Sequence, residues 1–216
     1  FEGRKGKRYD ILVNPYPIFP NHLVIALASH REQSIWSRYV DMLDLARNYQ
    51  GYTFFYNGPR CGASAPDHHH FQATLNGRMP LELDVDGLLD MAVRYPQNAE
   101  LQFLASVRDA QLYWYNRFAR GIFALRARTA KSMAKLFYRL LDCVTVPEGE
   151  KEPLFNLITY YKSGEYRSIV IFRTGHRSHH YFSDGPDHLT MSPGCADVAG
   201  MFIVPVKEDF EKITPG

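Results

Sequence analysis

Three histidines stand together at His68-His69-His70, followed by Phe71 and Gln72, and the segment before them runs Asn57-Gly58-Pro59-Arg60-Cys61-Gly62-Ala63-Ser64-Ala65-Pro66-Asp67. In an extended chain, successive side chains alternate between faces, so His68, His70 and Gln72 share one face while His69 and Phe71 take the other. Three groups able to bond a phosphate then stand in a row. A histidine in such a row, served by a glycine loop with free backbone N–H groups and a serine, can attack phosphorus while the loop solvates the oxygens. A metal site competes with this reading, because H-x-H on a strand gathers two imidazoles for Zn²⁺ with Asp67 at hand. Taken alone, Gly58 and Gly62 read as turn glycines.

These residues need a folded frame, and the composition supplies one. The chain has 216 residues, 45% hydrophobic and 22% charged, which is ordinary for a globular protein and argues against disorder. Lys+Arg (25) nearly balance Asp+Glu (23), so no general affinity for nucleic acid or membranes is expected, and an anionic substrate must be met by a local patch. No apolar run is long enough to span a bilayer. Cys61, Cys143 and Cys195 are far apart and odd in number, which fits a reducing cytosol and a cytoplasmic protein rather than a disulfide framework. The basic residues Arg4, Lys5, Lys7 and Arg8 read as a solvated arm as readily as a phosphate contact.

Pattern predicts strands at Tyr9 to Asn14 and His22 to Ala28, a helix from Glu32 to Ala46, then strands at Tyr52 to Asn57 and His68 to Leu75. A helix or two is expected between 76 and 119. A strand at Gly121 to Ala127 and a helix at Thr129 to Val144 follow. Strands at Leu154 to Tyr161 and Tyr166 to Arg173 are joined by the hairpin signal Lys162-Ser163-Gly164-Glu165. A strand at Met201 to Val206 and a helix at Lys207 to Ile213 close the chain. Val24 to Leu27 and Ile122 to Leu125 align at an offset of 98, which also places Ile35 on Met133, Tyr39 on Phe137, Met42 on Leu140, Leu43 on Leu141 and Asp44 on Asp142. The chain thus reads as two copies of a strand-helix-strand-strand unit. The second copy has Arg167-Ser168-Ile169-Val170-Ile171 where the first has the histidines, so a single unit is expected to be catalytic. Arg173, His176, Arg177, His179 and His180 are too polar for a core strand and offer substrate contacts from the other copy, or else form an exposed loop.

At His68-His69-His70-Phe71-Gln72 the sequence resembles the histidine triad superfamily, in particular its transferase branch, which carries H-x-H-x-Q. That branch includes galactose-1-phosphate uridylyltransferase, the diadenosine tetraphosphate phosphorylases and GDP-hexose phosphorylases. Asn57-Gly58, Gly62-Ala63-Ser64, Val13-Asn14-Pro15-Tyr16-Pro17-Ile18 and Ser192-Pro193-Gly194 extend the likeness. The resemblance implies an α+β fold: an antiparallel sheet with packed helices, duplicated as two fused halves in one compact unit. The catalytic half would be 1–76, a helical or irregular connection 77–119, and the half without the motif 120–216. It also implies a nucleotidyltransferase or nucleotide phosphorylase acting on a nucleoside diphosphate sugar or dinucleoside polyphosphate. His70 would become nucleotidylated, with phosphate or a sugar phosphate as acceptor. His68 would orient the site, Ser64 and the N–H groups near Gly62 would hold oxygens, and Asn57, Arg60, Arg173 and His176 would contact substrate. Gln72 can donate an amide hydrogen bond but does not readily shuttle a proton, which suits phosphate better than water as the second nucleophile. His69, between the motif histidines, and Pro66-Asp67 depart from the usual pattern. No cofactor is required by this scheme. A structural or activating divalent metal, a homodimer, a pyrophosphohydrolase activity and a non-catalytic nucleotide- or metal-binding module are the alternatives left open.

Overall fold

The computed structural model describes residues 1–94, 100–118 and 121–213. Its strands are β1 (Tyr9–Val13), β2 (Leu23–Leu27), β3 (Tyr52–Asn57), β4 (His70–Leu75), β5 (Leu101–Val107), β6 (Ala110–Tyr115), β7 (Ile122–Ala127), β8 (Phe155–Lys162) and β9 (Glu165–Phe172). They form one sheet in the order β1-β2-β4-β3-β8-β9-β7-β6-β5, each neighbouring pair antiparallel. About the β3–β8 pair, β4, β2 and β1 lie outward on one side and β9, β7 and β6 on the other, with β5 added beyond β6. The helices are α1 (Tyr39–Asn48), α2 (Pro80–Arg94), α3 (Ala130–Asp142), α4 (His179–Phe182), α5 (Cys195–Val198) and α6 (Lys207–Lys212). The protein is therefore α+β, and β2-α1-β3-β4 and β7-α3-β8-β9 stand as related units within one sheet.

Each face of the sheet has its own apolar layer. On the first, Tyr39, Met42, Leu43 and Ala46 of α1 and Met133, Phe137, Leu140 and Leu141 of α3 pack on Ile25, Phe54, Tyr56, Phe71, Leu125, Leu157 and Val170. Burial of each large side chain stabilises the fold by roughly 1.5–3 kcal/mol. Residues matched by the repeat meet here, since the rings of Tyr39 and Phe137 are 3.9 Å apart between centroids. On the second face, Val85, Leu88 and Leu89 of α2 cover Tyr113, Ile122, Ala124, Ile158, Ile169 and Ile171. That helix covers the second unit, and over the first unit the layer is continued by Phe19 and by Cys195, Ala196 and Val198 of α5 beside Phe55.

Four local expectations change. The helix expected from Glu32 begins only at Tyr39, because Ser37 takes a left-handed φ of 61° and Gln33 and Ile35 are buried outside it. The strand expected from His68 begins at His70. The connection 77–119 holds one helix and then the antiparallel pair β5–β6, so it is part of the sheet rather than helical or irregular, and its boundary at 119 lies outside the described residues. Residues 201–205 are irregular rather than a strand. The 162–165 hairpin is present, with Ser163 at φ 53° and Gly164 at φ 83°, the left-handed pair that a two-residue turn requires. No helix among the described residues is long and apolar enough to cross a membrane.

Candidate active site

The second face of the sheet, in the first unit, carries two of the three polar side chains that the alternation anticipates, His70 and Gln72, while His68 precedes the strand. Gln72 of β4 pairs with Val24 of β2 and Phe55 of β3, and His70 pairs with Ala26, so both side chains lie on the face opposite α1 and α3. By the same parity Asn57 of β3 faces its register partner Asn156 of β8. His69 and Phe71 point the other way. The His69 ring lies 4.7 Å from that of Phe71 and edge-on to Tyr9, and burial drives its pKa down to about 2, with Arg38, His70, Lys7 and His68 adding to the shift.

The state of His70 follows from its hydrogen bonds. Its Nδ1 lies 2.9 Å from the His68 carbonyl oxygen, which can only accept, so Nδ1 carries the proton and Nε2 keeps its lone pair. Burial lowers its pKa, which favours the neutral ring near pH 7. His68 donates from Nε2 to the Leu27 carbonyl at 2.7 Å, fixing the turn that leads into β4. Gln33, which the helical reading of 32–46 hid, supplies the clamp on this turn. It accepts from the His70 N–H at 2.9 Å and donates to the carbonyls of Asn57 and His70 at 2.9 and 3.0 Å.

Gln72 is oriented just as firmly. The Ile18 N–H donates to His22 Nδ1, so His22 carries its proton on Nε2 and donates it to Gln72 Oε1 at 2.8 Å. With its oxygen engaged, the Gln72 amide offers N–H donors to a ligand. Beside it lies a cavity of about 480 Å³ lined by Asn57, Gly62, Ser64 and Gln72 among the expected residues, with Tyr16, Ile18, Phe55 and Ile203 as apolar wall. His22, Arg177, Tyr181 and Ser192 also line it. His22 could have been sought as a polar residue at the start of an apolar strand.

Two loops close the cavity. Gly62 has a φ of 92°, and a Cβ there would sit 2.4 Å from Gly194 Cα, so both its conformation and its contact require glycine. Asn57 Oδ1 accepts from the Cys195 N–H at 2.7 Å and from Asn156 Nδ2 at 2.9 Å, tying the 192–195 loop to the sheet. Cys61 and Cys195 are buried, which pushes both thiols up and makes neither a nucleophile.

His68, His70, Arg60, Arg173 and His176 are not among the residues that line the cavity. Arg173 donates to Asn156 Oδ1 and to the carbonyls of Pro193 and His176, bracing the loop. Arg60 is paired with Glu150 at 3.2 Å. His176 contacts the cavity residue Ser192, Nε2 to Oγ, at 2.9 Å, and burial together with Arg177, Arg173 and Arg60 lowers its pKa. Arg177 reaches the wall itself, donating from Nε to Ser192 Oγ at 3.1 Å with its guanidinium carbon 3.9 Å from the Tyr181 ring centroid. His68 and His70 spend one ring nitrogen each on a backbone carbonyl, and Asp67 lies near His30 at 3.7 Å. Among the described residues no group of three or more His, Cys, Asp or Glu side chains is gathered to hold a metal.

A family model described as a domain of unknown function, DUF4922, matches residues 3–75, which include β1 to β4 and the histidine run. Among curated proteins none matches. Of solved structures, yeast Ap4A phosphorylase Apa2 superposes with a TM-score of 0.61 at 18% identity, covering 96% of this chain and 70% of that one. A GALT-like protein from Arabidopsis thaliana gives 0.48 at 13%, over 91% of this chain and 83% of that one. A DUF4931 family protein from Bacillus cereus gives 0.43 at 17%, over 90% and 95%. The likeness to the yeast enzyme is one of fold, and it extends over nearly all of the present chain.

Proposed function

Because the chain has the fold of the histidine triad transferases, we propose that it transfers a nucleotidyl group through His70, from a nucleoside diphosphate sugar or dinucleoside polyphosphate to phosphate or a sugar phosphate. The observation that carries this reading is the committed tautomer of His70, with Nδ1–H on the His68 carbonyl and Nε2 left as a lone pair. In the first step Nε2 forms a bond to the α-phosphorus and the bond from phosphorus to the bridging oxygen breaks, with the departing phosphate taking the electron pair. The ring becomes cationic, and the His68 carbonyl stabilises the Nδ1–H it retains. In the second step an oxygen of the acceptor phosphate attacks the same phosphorus, and His70 leaves as the neutral Nδ1–H ring. No proton has to reach water in either step.

The neighbours fit these charges. Gln72, turned by His22, donates its amide to a non-bridging oxygen, and Ser64 with the backbone beside Gly62 serves the others. Gln72 is a poor proton shuttle, which favours an acceptor oxygen that is already anionic over water. The apolar wall of Tyr16, Ile18, Phe55 and Ile203 suits a flat base. Arg177 would meet phosphates beyond the reacting one.

The test is the intact mass of the protein after brief exposure to UDP-glucose, GDP-glucose, ADP-glucose and diadenosine tetraphosphate. An added nucleoside monophosphate mapped to His70, absent in His70→Ala and discharged by phosphate, is the expected result. Monophosphate release in water alone would make the protein a hydrolase. Turnover by His70→Ala at the parent rate would end the covalent reading.

A further inference from the structure

We infer that Gln33 is the positioning residue of the site: it touches no reacting atom, and it sets where the His70 ring stands. This rests on the reading of His70 as the group that attacks phosphorus. Gln33 is 2% exposed, and its side chain joins the end of β3 to the start of β4 by donating to the Asn57 and His70 carbonyls and accepting from the His70 N–H. Its own backbone N–H donates to the Pro66 carbonyl at 2.8 Å, so the glycine-loop segment is bound to the same residue. One residue thus ties together three segments: its side chain holds the strand that carries Asn57 and the strand that carries His70 and Gln72, and its backbone N–H holds the loop that carries Gly62 and Ser64.

The second unit shows how the chain makes this residue available. At the offset of 98, Glu32 to Arg38 correspond to Ala130 to Leu136, which form the first turns of α3. In the first unit these turns are unwound, and α1 starts only at Tyr39. The freed segment brings Gln33 to the end of β3 and the start of β4 and is pinned further along, where buried Glu152 accepts from the Ile35 N–H at 2.7 Å and from the Tyr56 hydroxyl at 2.6 Å. Helical hydrogen bonds are given up only in the unit that holds the histidines. The matching strand of the other unit carries Ile169 and Ile171, buried under α2, and no histidine.

Glutamine is the side chain this position demands, because it must donate twice and accept once. Glutamate has the same shape and only accepts, so Gln33→Glu leaves the Asn57 and His70 carbonyls facing a carboxylate. Gln33→Met keeps the volume and makes none of the bonds. In both variants, single-turnover nucleotidylation by diadenosine tetraphosphate or by whichever nucleotide sugar modifies the parent is expected to slow by about 100-fold, the usual effect of a 1 Å misplacement, with KM within about threefold. The parent protein supplies a second measurement that needs no turnover and no variant. The His70 amide proton is expected to be among the slowest to exchange in hydrogen exchange, and the ¹⁵N signals of the His70 ring are expected to show one fixed tautomer, blurred in Gln33→Glu. An unchanged single-turnover rate in both variants, or rapid exchange of the His70 amide in the parent, overturns the role. If no donor modifies His70 while the amide and tautomer behave as expected, the covalent reading fails and the clamp stands.

Discussion

His69 shares its residue type with both neighbours and has the opposite fate. Its two ring nitrogens are buried without a hydrogen-bond partner, and burial first, then the nearby cations, lower its pKa to about 2. The unfolded chain binds a proton at this ring near the ordinary value of about 6.5, whereas the folded protein does not. Folding stability contributed here is therefore present above that value and is lost as the pH falls from about 6.5 toward 2. His69→Leu removes both unpartnered nitrogens and is expected to stabilise the fold by about 1–2 kcal/mol at pH 7. Its advantage over the parent should widen as the pH is lowered, measured by urea denaturation at a series of pH values. An advantage that stays constant with pH would show that the buried ring is not what titrates. At this scale the alternation of side chains was legible, because a strand has a strict period of two and the order His-His-His-Phe-Gln leaves little choice of face. Gln33 was illegible, since a glutamine among Glu32, Ser34 and Arg38 looks like the wet side of a helix, and nothing local marks the carbonyls it serves.

Elements were readable where one periodicity dominated. α3, its N-terminus capped by Thr129, emerged from the spacing of Met133, Phe137 and Leu140, and the β8–β9 hairpin from its turn. β5 and β6 were not recognised, because Leu112-Tyr113-Trp114-Tyr115 mixes large side chains on both faces and a register shift between Phe103 and Ala105, the partners of Tyr113 and Leu112, breaks the pairing. The seating of the glycine loop against the 192–195 loop could not be read either, since it joins segments far apart in the chain through backbone contact alone. That contact makes a sharp prediction. Gly62→Ala forces a methyl within 2.4 Å of Gly194 Cα at a φ of 92°, so the two loops must part. Stability is expected to fall by about 1–3 kcal/mol, with the larger loss in activity, because the backbone that solvates the phosphate oxygens moves. Thermal unfolding and the rate of His70 nucleotidylation check the two effects separately, and an unchanged rate would remove the loop from the oxygen-binding role.

Across the whole molecule, two related units share one sheet and divide the work. On the face opposite α1 and α3, the second unit is covered by α2, and the polar groups there serve packing. Buried Arg167 donates to Asp86, with Asp90 at 2.5 Å and Glu165 at 3.8 Å, while Lys162 and the Tyr160 hydroxyl also reach Asp86. None of these residues lines the cavity of the first unit. Such a network is held by mutual compensation: removing one charge strands the others in a medium that solvates them poorly. Asp86→Ala should therefore destabilise the protein by about 2–4 kcal/mol, softened from a full stranding because Asp90 and Glu165 still face Arg167. The nucleotidylation rate at a temperature well below unfolding should stay within about twofold of the parent, since Asp86 and its partners lie away from the cavity wall. Measuring unfolding and single-turnover rate on the same preparation separates the two. A large fall in rate with the fold intact would mean that α2 reaches the site through the shared sheet, and the division of labour between the units would have to be given up.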